Sequence, residues 1–110
     1  MRKIIKSEEY DAFYASLQEK VQEKLDYILN ILIQHKVVNT KFVKKLKNTD
    51  YYELRISVDC EYRVLLFSID QENIIEASQV VILNGFIKKS TKDYKKQLAI
   101  AASILKSITV

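Results

Sequence analysis

Apolar and ionisable residues alternate in the middle of the chain. From residue 51 to residue 58 the even positions are apolar in character, whereas the odd positions carry polar or charged groups. Successive side chains of a β-strand point to opposite faces, so this alternation predicts a half-buried strand with one apolar and one polar face. The polar face comprises Tyr51, Glu53, Arg55 and Ser57.

Three further segments have the composition of strands. The segment 61–69 is apolar on both alternating rows, which predicts a strand that is central in a sheet and buried on both faces. After a turn at Asp70–Asn73, the segment 80–87 predicts the next strand. At the N-terminus, residues 2–6 predict a short first strand around two isoleucines.

Apolar residues spaced three and four apart predict three helices. The first covers about residues 8–17, where Ser7 can serve as the N-cap, and the second covers about 19–35 and forms a hairpin with the first. The last opens after Ser90-Thr-Lys-Asp93, which has the spacing of a capping box. Its apolar stripe comprises Tyr94, Leu98, Ala101 and Leu105, with Ile104 and Ile108 alongside.

The order of these elements predicts an α+β fold, in which an N-terminal strand and a helical hairpin pack on an antiparallel sheet with a C-terminal helix. Residues 37–50 are expected to form a basic connector. With 110 residues, no proline, one glycine and no repeat, residues 1–110 are expected to form one domain without a linker.

The charges are unevenly distributed around the net value of +4. Residues 36–49 carry five basic and no acidic side chains, residues 50–87 carry two and seven, and residues 88–110 carry six and one. Two basic blocks therefore flank an acidic middle. Such blocks are either solvated faces or, if they converge in space, a surface for a polyanion.

Composition also suggests a compartment. No apolar run is long enough to span a membrane, and the basic start lacks the apolar segment of a signal peptide. The single cysteine, Cys60, cannot form an internal disulfide, which favours a reducing, cytoplasmic location. One cysteine and one histidine at unrelated positions indicate no metal or cofactor site, and His35 is interpreted as a helix-end residue rather than a general base.

Arg63 is a charged residue on a predicted strand face that is otherwise mostly apolar. It shares a strand face with Leu65 and Phe67, and a charge beside apolar residues is costly unless it has a partner. The pattern leaves two alternatives: Arg63 pairs with a carboxylate such as Glu53, or it binds an anionic ligand.

Four blocks, taken together in their order and spacing, resemble the RelE/ParE superfamily of toxins, and most of all its phage-derived, HigB-like branch. They are Lys44-Lys-Leu-Lys47, Tyr52-Glu-Leu-Arg-Ile56, Glu61-Tyr-Arg-Val-Leu-Leu-Phe67 and Leu83-Asn-Gly-Phe-Ile-Lys-Lys89. The resemblance implies a small RNase-like fold and a metal-independent endoribonuclease, which cleaves messenger RNA on the ribosome and so inhibits translation. It also implies a cognate antitoxin, expected to be of helix-turn-helix type.

By this resemblance, the residues expected at the active face are Arg55, Arg63, Lys88, Lys89 and Glu53. Those expected to contact RNA or the ribosome are Lys44, Lys45, Lys47 and Lys92. Guanidinium and ammonium groups suit this role because cleavage by a 2′-hydroxyl builds negative charge on the phosphate. Glu53 would orient Arg55 or act as a base, and Tyr94 is interpreted as core or as a stacking or acid residue.

Two other functions stay open at this stage. One is a ParE-like inhibitor that binds DNA gyrase without cleaving nucleic acid, and the other is a degenerate, non-catalytic binding module. The sequence also departs from the family by the added segment 74–79. Apolar residues on several sides of the last helix predict exposed surface, which an antitoxin or self-association would cover.

Overall fold

The elements largely follow the predicted order. The computed structural model describes residues 1–71 and 73–109, and in this part the chain forms three helices and five strands. They are β1 Lys3–Lys6, α1 Glu8–Ala15, α2 Glu19–Gln34, β2 Val43–Lys45, β3 Tyr52–Val58, β4 Cys60–Ser68, β5 Gln79–Ile87 and α3 Asp93–Thr109. The predicted α+β class is confirmed. The predicted turn at Asp70–Asn73 includes Glu72, which lies outside the described residues.

The five strands form one sheet in the order β1-β5-β4-β3-β2. β4 lies between β5 and β3, which confirms that the strand with apolar residues on both faces is central. Two details differ from the prediction. β1 pairs with β5 in parallel, and β2 lies within the segment that was expected to be only a connector.

The sheet has two different faces. On the hairpin face, α1 and α2 pack on the even-numbered residues of β3 and β4 around a core of aliphatic side chains and Tyr10. Five residues of α2 are buried there: Val21, Leu25, Ile28, Leu29 and Leu32. On the α3 face, α3 packs on Leu65, Val81 and Leu83 through Ala101 and Ile104. The predicted apolar stripes of α2 and α3 therefore both pack on the sheet. The polar row of β3 lies on the α3 face.

A β-bulge in β5 changes which residues reach each face. Val64 pairs with Gly85 and Leu66 with Ile82, so two residues of β5, Leu83 and Asn84, stand opposite Leu65. The alternation shifts by one beyond the bulge. Gly85 then faces α1, where a Cβ atom would come within 2.3 Å of the Phe13 ring, and Phe86 joins the core under α3.

The helix ends follow the predicted capping chemistry. Ser7 Oγ accepts a hydrogen bond from the Tyr10 N–H at 3.0 Å, as expected for the N-cap of α1. At the start of α3, Asp93 accepts from the N–H groups of Lys89 and Ser90 at 2.8 and 2.9 Å, and these bonds lower the pKa of the Asp93 carboxyl. These contacts fix the N-terminal turn of α3 against the end of β5.

The added segment 74–79 contributes to the core. Ile74 and Ala77 are buried on the hairpin face, and the Ile74 N–H donates to the Tyr52 hydroxyl at 3.2 Å. In α3, Ile104 is buried whereas Ile108 is 38% exposed, so the predicted exposed surface is limited to part of the helix. None of the helices in the described part of the chain combines the length and apolarity needed to cross a membrane.

Candidate functional site

Two arginines meet one carboxylate on the α3 face. The register of β3 and β4 places Arg55 directly opposite Arg63. Like charges in that arrangement repel each other, and Glu53, two residues before Arg55 on the same face, lies between them. Its carboxylate is 3.6 Å from the Nε atom of Arg55 and 3.6 Å from the Nε atom of Arg63.

Arg63 is enclosed by acceptors. Its side chain is 3% exposed, and its guanidinium donates to the Tyr94 hydroxyl at 3.2 Å, to the Tyr62 carbonyl at 2.9 Å and to Glu61 at 3.2 Å. Burial alone lowers the pKa of Arg63, but the hydrogen bonds to Tyr94 and Glu61 outweigh it and raise the pKa above its usual value. Of the two alternatives for Arg63, the structure shows the pairing with carboxylates.

Arg55 is the accessible member of the pair. Its side chain is 36% exposed, and it shares the Glu53 carboxylate with Arg63. A ligand can therefore approach Arg55 from solvent, whereas Arg63 is enclosed by its partners Tyr94, Glu53 and Glu61. The two arginines occupy one cluster with different access.

Tyr94 connects α3 to this cluster. Its hydroxyl donates to the Glu53 carboxylate and accepts from Arg63, while its ring packs edge-on against Phe86 at a centroid distance of 5.5 Å. Burial, reinforced by the hydrogen bond to Glu53, raises the pKa of Tyr94 to about 12. The phenol is therefore protonated at neutral pH, and its single O–H is donated to the Glu53 carboxylate. The sequence pattern placed Tyr94 in the apolar stripe of the helix, and its ring does lie there.

The two lysines after β5 have different positions. Lys88 is half-buried, and its ammonium group lies 5.5 Å from the centroid of the Tyr94 ring. Its backbone N–H donates to the Glu61 carbonyl at 2.7 Å, which holds it beside β4. Lys89 is exposed and contributes its backbone N–H to the cap of α3. Of the two, Lys88 borders the arginine cluster.

The basic connector also divides between the two faces. Lys44 stands opposite Glu53, and Lys45 stands opposite Tyr52, whose side chain belongs to the core of the hairpin face. Cross-strand partners share a face, so Lys44 lies on the α3 face and Lys45 on the hairpin face. Both are exposed, as are Lys47 in the turn before β3 and Lys92 in the turn before α3. Lys45 therefore lies on the face opposite the arginines, whereas Lys44 shares their face.

Among residues 1–71 and 73–109, no group of three His, Cys, Asp or Glu side chains is placed so that it could hold a metal ion. His35 is the exposed C-cap residue of α2, on the hairpin side of the sheet. What the cluster offers is an accessible guanidinium, nearby ammonium groups, a protonated phenol and a carboxylate. Such a set can bind a phosphodiester and stabilise negative charge that develops on it.

The fold is that of RelE toxins. The structure matches the E. coli toxin RelE in the intact RelBE toxin–antitoxin complex with a TM-score of 0.63 and 18% identity, over 82% of this chain and 100% of that chain. It matches a mutant of E. coli RelE in the free state with a TM-score of 0.64 and 17% identity, over 93% and 95% of the two chains. It matches a chain of the RelB–RelE antitoxin–toxin complex from Methanococcus jannaschii with a TM-score of 0.59 and 15% identity, over 82% of this chain and 96% of that chain.

The sequence itself places the chain in a family. The profile of the family described as phage derived protein Gp49-like (DUF891) matches residues 12–106, so the chain belongs to this family. A comparison with curated proteins finds no match. The predicted resemblance to RelE-type toxins is thereby confirmed at the level of fold and phage-derived family. The narrower assignment to a HigB-like branch stays a prediction.

Proposed function

We propose that this protein is the toxin of a type II toxin–antitoxin pair and that it cleaves messenger RNA on the ribosome. The observation that carries the proposal is the cluster on the α3 face, where an accessible Arg55 stands beside Glu53, Tyr94 and Lys88 on a RelE-like fold. A structural ion pair alone does not need a second, partly exposed arginine on the same carboxylate. An accessible guanidinium can bind a phosphate group through charge-assisted hydrogen bonds.

In the proposed reaction, the 2′-hydroxyl of the substrate loses its proton to solvent and attacks the adjacent phosphorus. The bond to the 5′-oxygen breaks, which leaves a 2′,3′-cyclic phosphate, and the 5′-oxygen takes up a proton from solvent to leave as a hydroxyl. Arg55 contacts the nonbridging oxygens, and Lys88, whose ammonium group lies over the Tyr94 ring, adds positive charge. The Tyr94 phenol donates a hydrogen bond within this site. Glu53 orients Arg55, because its oxygens are already occupied by two guanidinium groups and a phenol.

Arg63 has a different role in this proposal. Its burial and its hydrogen bonds fix the Glu53 carboxylate and the Tyr94 hydroxyl, so we assign it as a positioning residue beneath the cluster. Lys44, Lys47, Lys89 and Lys92 extend the positive surface for RNA or ribosomal RNA. Lys45, on the hairpin face, does not belong to that surface.

The proposed partner is a cognate antitoxin. RelE is found in complexes with the antitoxin RelB in two of the matching structures. By analogy, an acidic segment of an antitoxin would cover the cationic α3 face and stop cleavage, and it would also cover exposed residues of α3 such as Ile108. Binding of this kind predicts that the complex is more soluble than the isolated chain.

Induced expression followed by mapping of messenger RNA 5′ ends tests the proposal. New 5′ ends within open reading frames, appearing within minutes of induction of the wild-type chain and not of Arg55→Gln, would support it. Double-strand breaks in DNA without new RNA ends would instead show a gyrase inhibitor. A growth rate unaffected by the wild-type chain, with soluble protein present, would contradict the toxin assignment.

A further inference from the structure

A pocket lies on the hairpin face, beside β2, on the side of the sheet opposite the arginine cluster. Its volume is about 200 Å³. Apolar side chains form most of its wall, contributed by the connector after α2, by β2 and β3, and by the added segment. They are Val38, Val43, Tyr52, Ile74 and Ile75.

The walls of this pocket are fixed by buried hydrogen bonds. Arg2 is 7% exposed, and its guanidinium donates to the carbonyl of Leu32 at 2.8 Å and to that of Ile74 at 3.1 Å. It thereby joins the C-terminal end of α2 to the added segment. The hydrogen bond from the Ile74 N–H to the Tyr52 hydroxyl joins that segment to β3. The pocket is therefore preformed, so little ordering is needed before a ligand binds.

The free edge of β2 borders the pocket. Arg55 N–H donates to the Phe42 carbonyl and Leu46 N–H to the Tyr51 carbonyl, so the even-numbered residues of this segment bond to β3. In an antiparallel ladder the intervening residues point the other way. The N–H and C=O groups of Lys45 and the C=O group of Val43 therefore point away from β3, where an added peptide strand can pair with them.

Charge defines the chemistry of the ligand. The pocket is bordered by Arg2, Lys36, Lys44 and Lys45, and no acidic side chain lines it among residues 1–71 and 73–109. Arg2 is occupied by backbone carbonyls, and alternation along β2 directs the Lys44 side chain to the other face. The side chains of Lys36 and Lys45 therefore lie at the rim of the pocket. Lys36 forms an ion pair with Glu76 at 3.8 Å, which is weak because both side chains are exposed.

We propose that the pocket and the free edge of β2 bind an extended acidic peptide segment of a partner protein, with one apolar side chain of that segment in the pocket. A peptide fits these features better than RNA. Outward N–H and C=O groups pair with a peptide backbone, and a mostly aliphatic wall suits an aliphatic or aromatic side chain better than a hydrogen-bonding nucleobase. The inference does not depend on the nuclease activity, because the pocket and the arginine cluster lie on opposite faces.

Binding of short peptides to the purified chain tests the proposal. Three fluorescein-labelled peptides, Asp-Glu-Thr-Xaa-Thr-Glu-Asp with Leu, Phe or Ser at the central position, are titrated in fluorescence polarisation. We expect the Leu or the Phe peptide to bind at least about tenfold more tightly than the Ser peptide, because only they fill the pocket. Equal binding of all three, or no binding, would overturn the proposal.

A change at Thr40 blocks the pocket without touching the core. Thr40 lines the pocket and is exposed, so Thr40→Trp fills the space while leaving the buried residues in place. We expect Thr40→Trp to weaken the Leu peptide about tenfold and Thr40→Ser to leave its affinity unchanged. Thermal unfolding of both variants checks that they are folded, and the peptide series on the wild-type chain stands without them.

The same variants distinguish a peptide site from a nucleic-acid site. A labelled oligouridylate of ten nucleotides is titrated in parallel. Under the proposal its affinity is the same in Thr40→Trp and Thr40→Ser. If Thr40→Trp weakens the oligonucleotide and none of the peptides binds, the pocket accepts a nucleobase and the proposal is wrong.

Discussion

The two faces of β3 are held in place by different interactions. On the hairpin face, Tyr52, Leu54 and Ile56 are buried against α2 and its neighbours by apolar packing. On the α3 face, Glu53 is held by an ion pair to Arg63 of β4 and a hydrogen bond from Tyr94 of α3, and Arg55 pairs with Glu53 within β3. Packing of the first kind stabilises a fold, whereas buried charge is weak evidence for stability. The contrast suggests that the hairpin face maintains the structure and the α3 face carries the chemistry.

The largest expected effect comes from the buried arginine. Arg63→Ala leaves the Glu53 carboxylate, 7% exposed, without the guanidinium that lies beneath it. We expect the free energy of unfolding to fall by about 3–5 kcal/mol, the range typical of breaking a buried pair. Urea unfolding followed by circular dichroism measures the loss. Arg63→Met with Glu53→Gln, which removes both charges, is expected to recover most of it.

Arg55→Ala is the matched control for this prediction. It removes an arginine from the same carboxylate, but from a side chain that is 36% exposed and screened by solvent. We expect a loss of less than about 1 kcal/mol. Equal losses for the two arginines would show that the difference in burial has no energetic consequence.

A single added methyl group at Gly85 tests the packing of α1 on the hairpin face. In Gly85→Ala the new Cβ atom lies 2.3 Å from the Phe13 ring, so the ring or α1 has to shift. We expect a loss of about 1–3 kcal/mol in the free energy of unfolding, as is typical of overpacking. Phe13→Leu provides space, so the double variant is expected to be more stable than Gly85→Ala alone. A Gly85→Ala variant as stable as the wild type would contradict the tight packing of the Phe13 ring on Gly85.

Lys44 and Lys45 are neighbours in β2 on opposite faces of the sheet, so substituting each one tests which face binds RNA. Lys44→Gln is expected to weaken RNA binding and to reduce the slope of log K against log salt by about 0.7, the value for one lost contact to a single strand. Lys45→Gln removes the same charge from the opposite face, so a smaller change of slope is expected. Titrations at several salt concentrations measure both slopes. A larger change for Lys45 would place the RNA on the hairpin face.

The smallest expected effect concerns acid stability. Hydrogen bonds from Ser78 lower the pKa of Asp70 to about 2. Because the folded-state pKa lies below the unfolded value, this carboxylate contributes its full stability above about pH 4 and loses the contribution as the pH falls toward about 2. Asp70→Asn is expected to flatten the stability curve in that window. Asp50→Asn, at an exposed turn position, is the control and is expected to keep the wild-type slope.

Strong periodic patterns made much of the fold predictable from the sequence. Helix α2 and strands β3 and β4 were predicted within two residues of their observed bounds, because each repeats one period over many positions. β2 was not predicted, since Val43–Lys45 is too short for an alternation and two of its three residues are lysines. The parallel pairing of β1 depends on β5, more than seventy residues away, and no local signal encodes it.

The site was predictable in its chemistry but not in its geometry. Alternation placed Glu53 and Arg55 on one face of a strand, and the register of β3 with β4 in the structure adds Arg63 to that face. It could not show that Arg63 is buried under Tyr94, because that contact depends on the packing of α3 and on the bulge that turns Phe86 toward this helix. Nor could a run of lysines show that two neighbours lie on opposite faces, since this depends on the unpredicted strand.

The most direct test of the central claim is the rate of messenger RNA cleavage on purified ribosomes by the wild-type chain, Arg55→Gln and Lys3→Gln. Each variant removes one positive charge, the first from the α3 face and the second from the exposed start of β1 at the far edge of the sheet. We expect Arg55→Gln to be slower by about 10²–10³-fold, as for loss of one group that stabilises a developing charge. Lys3→Gln is expected to cleave at the wild-type rate. Cleavage by Arg55→Gln at the wild-type rate would contradict the assignment of the site to the α3 face.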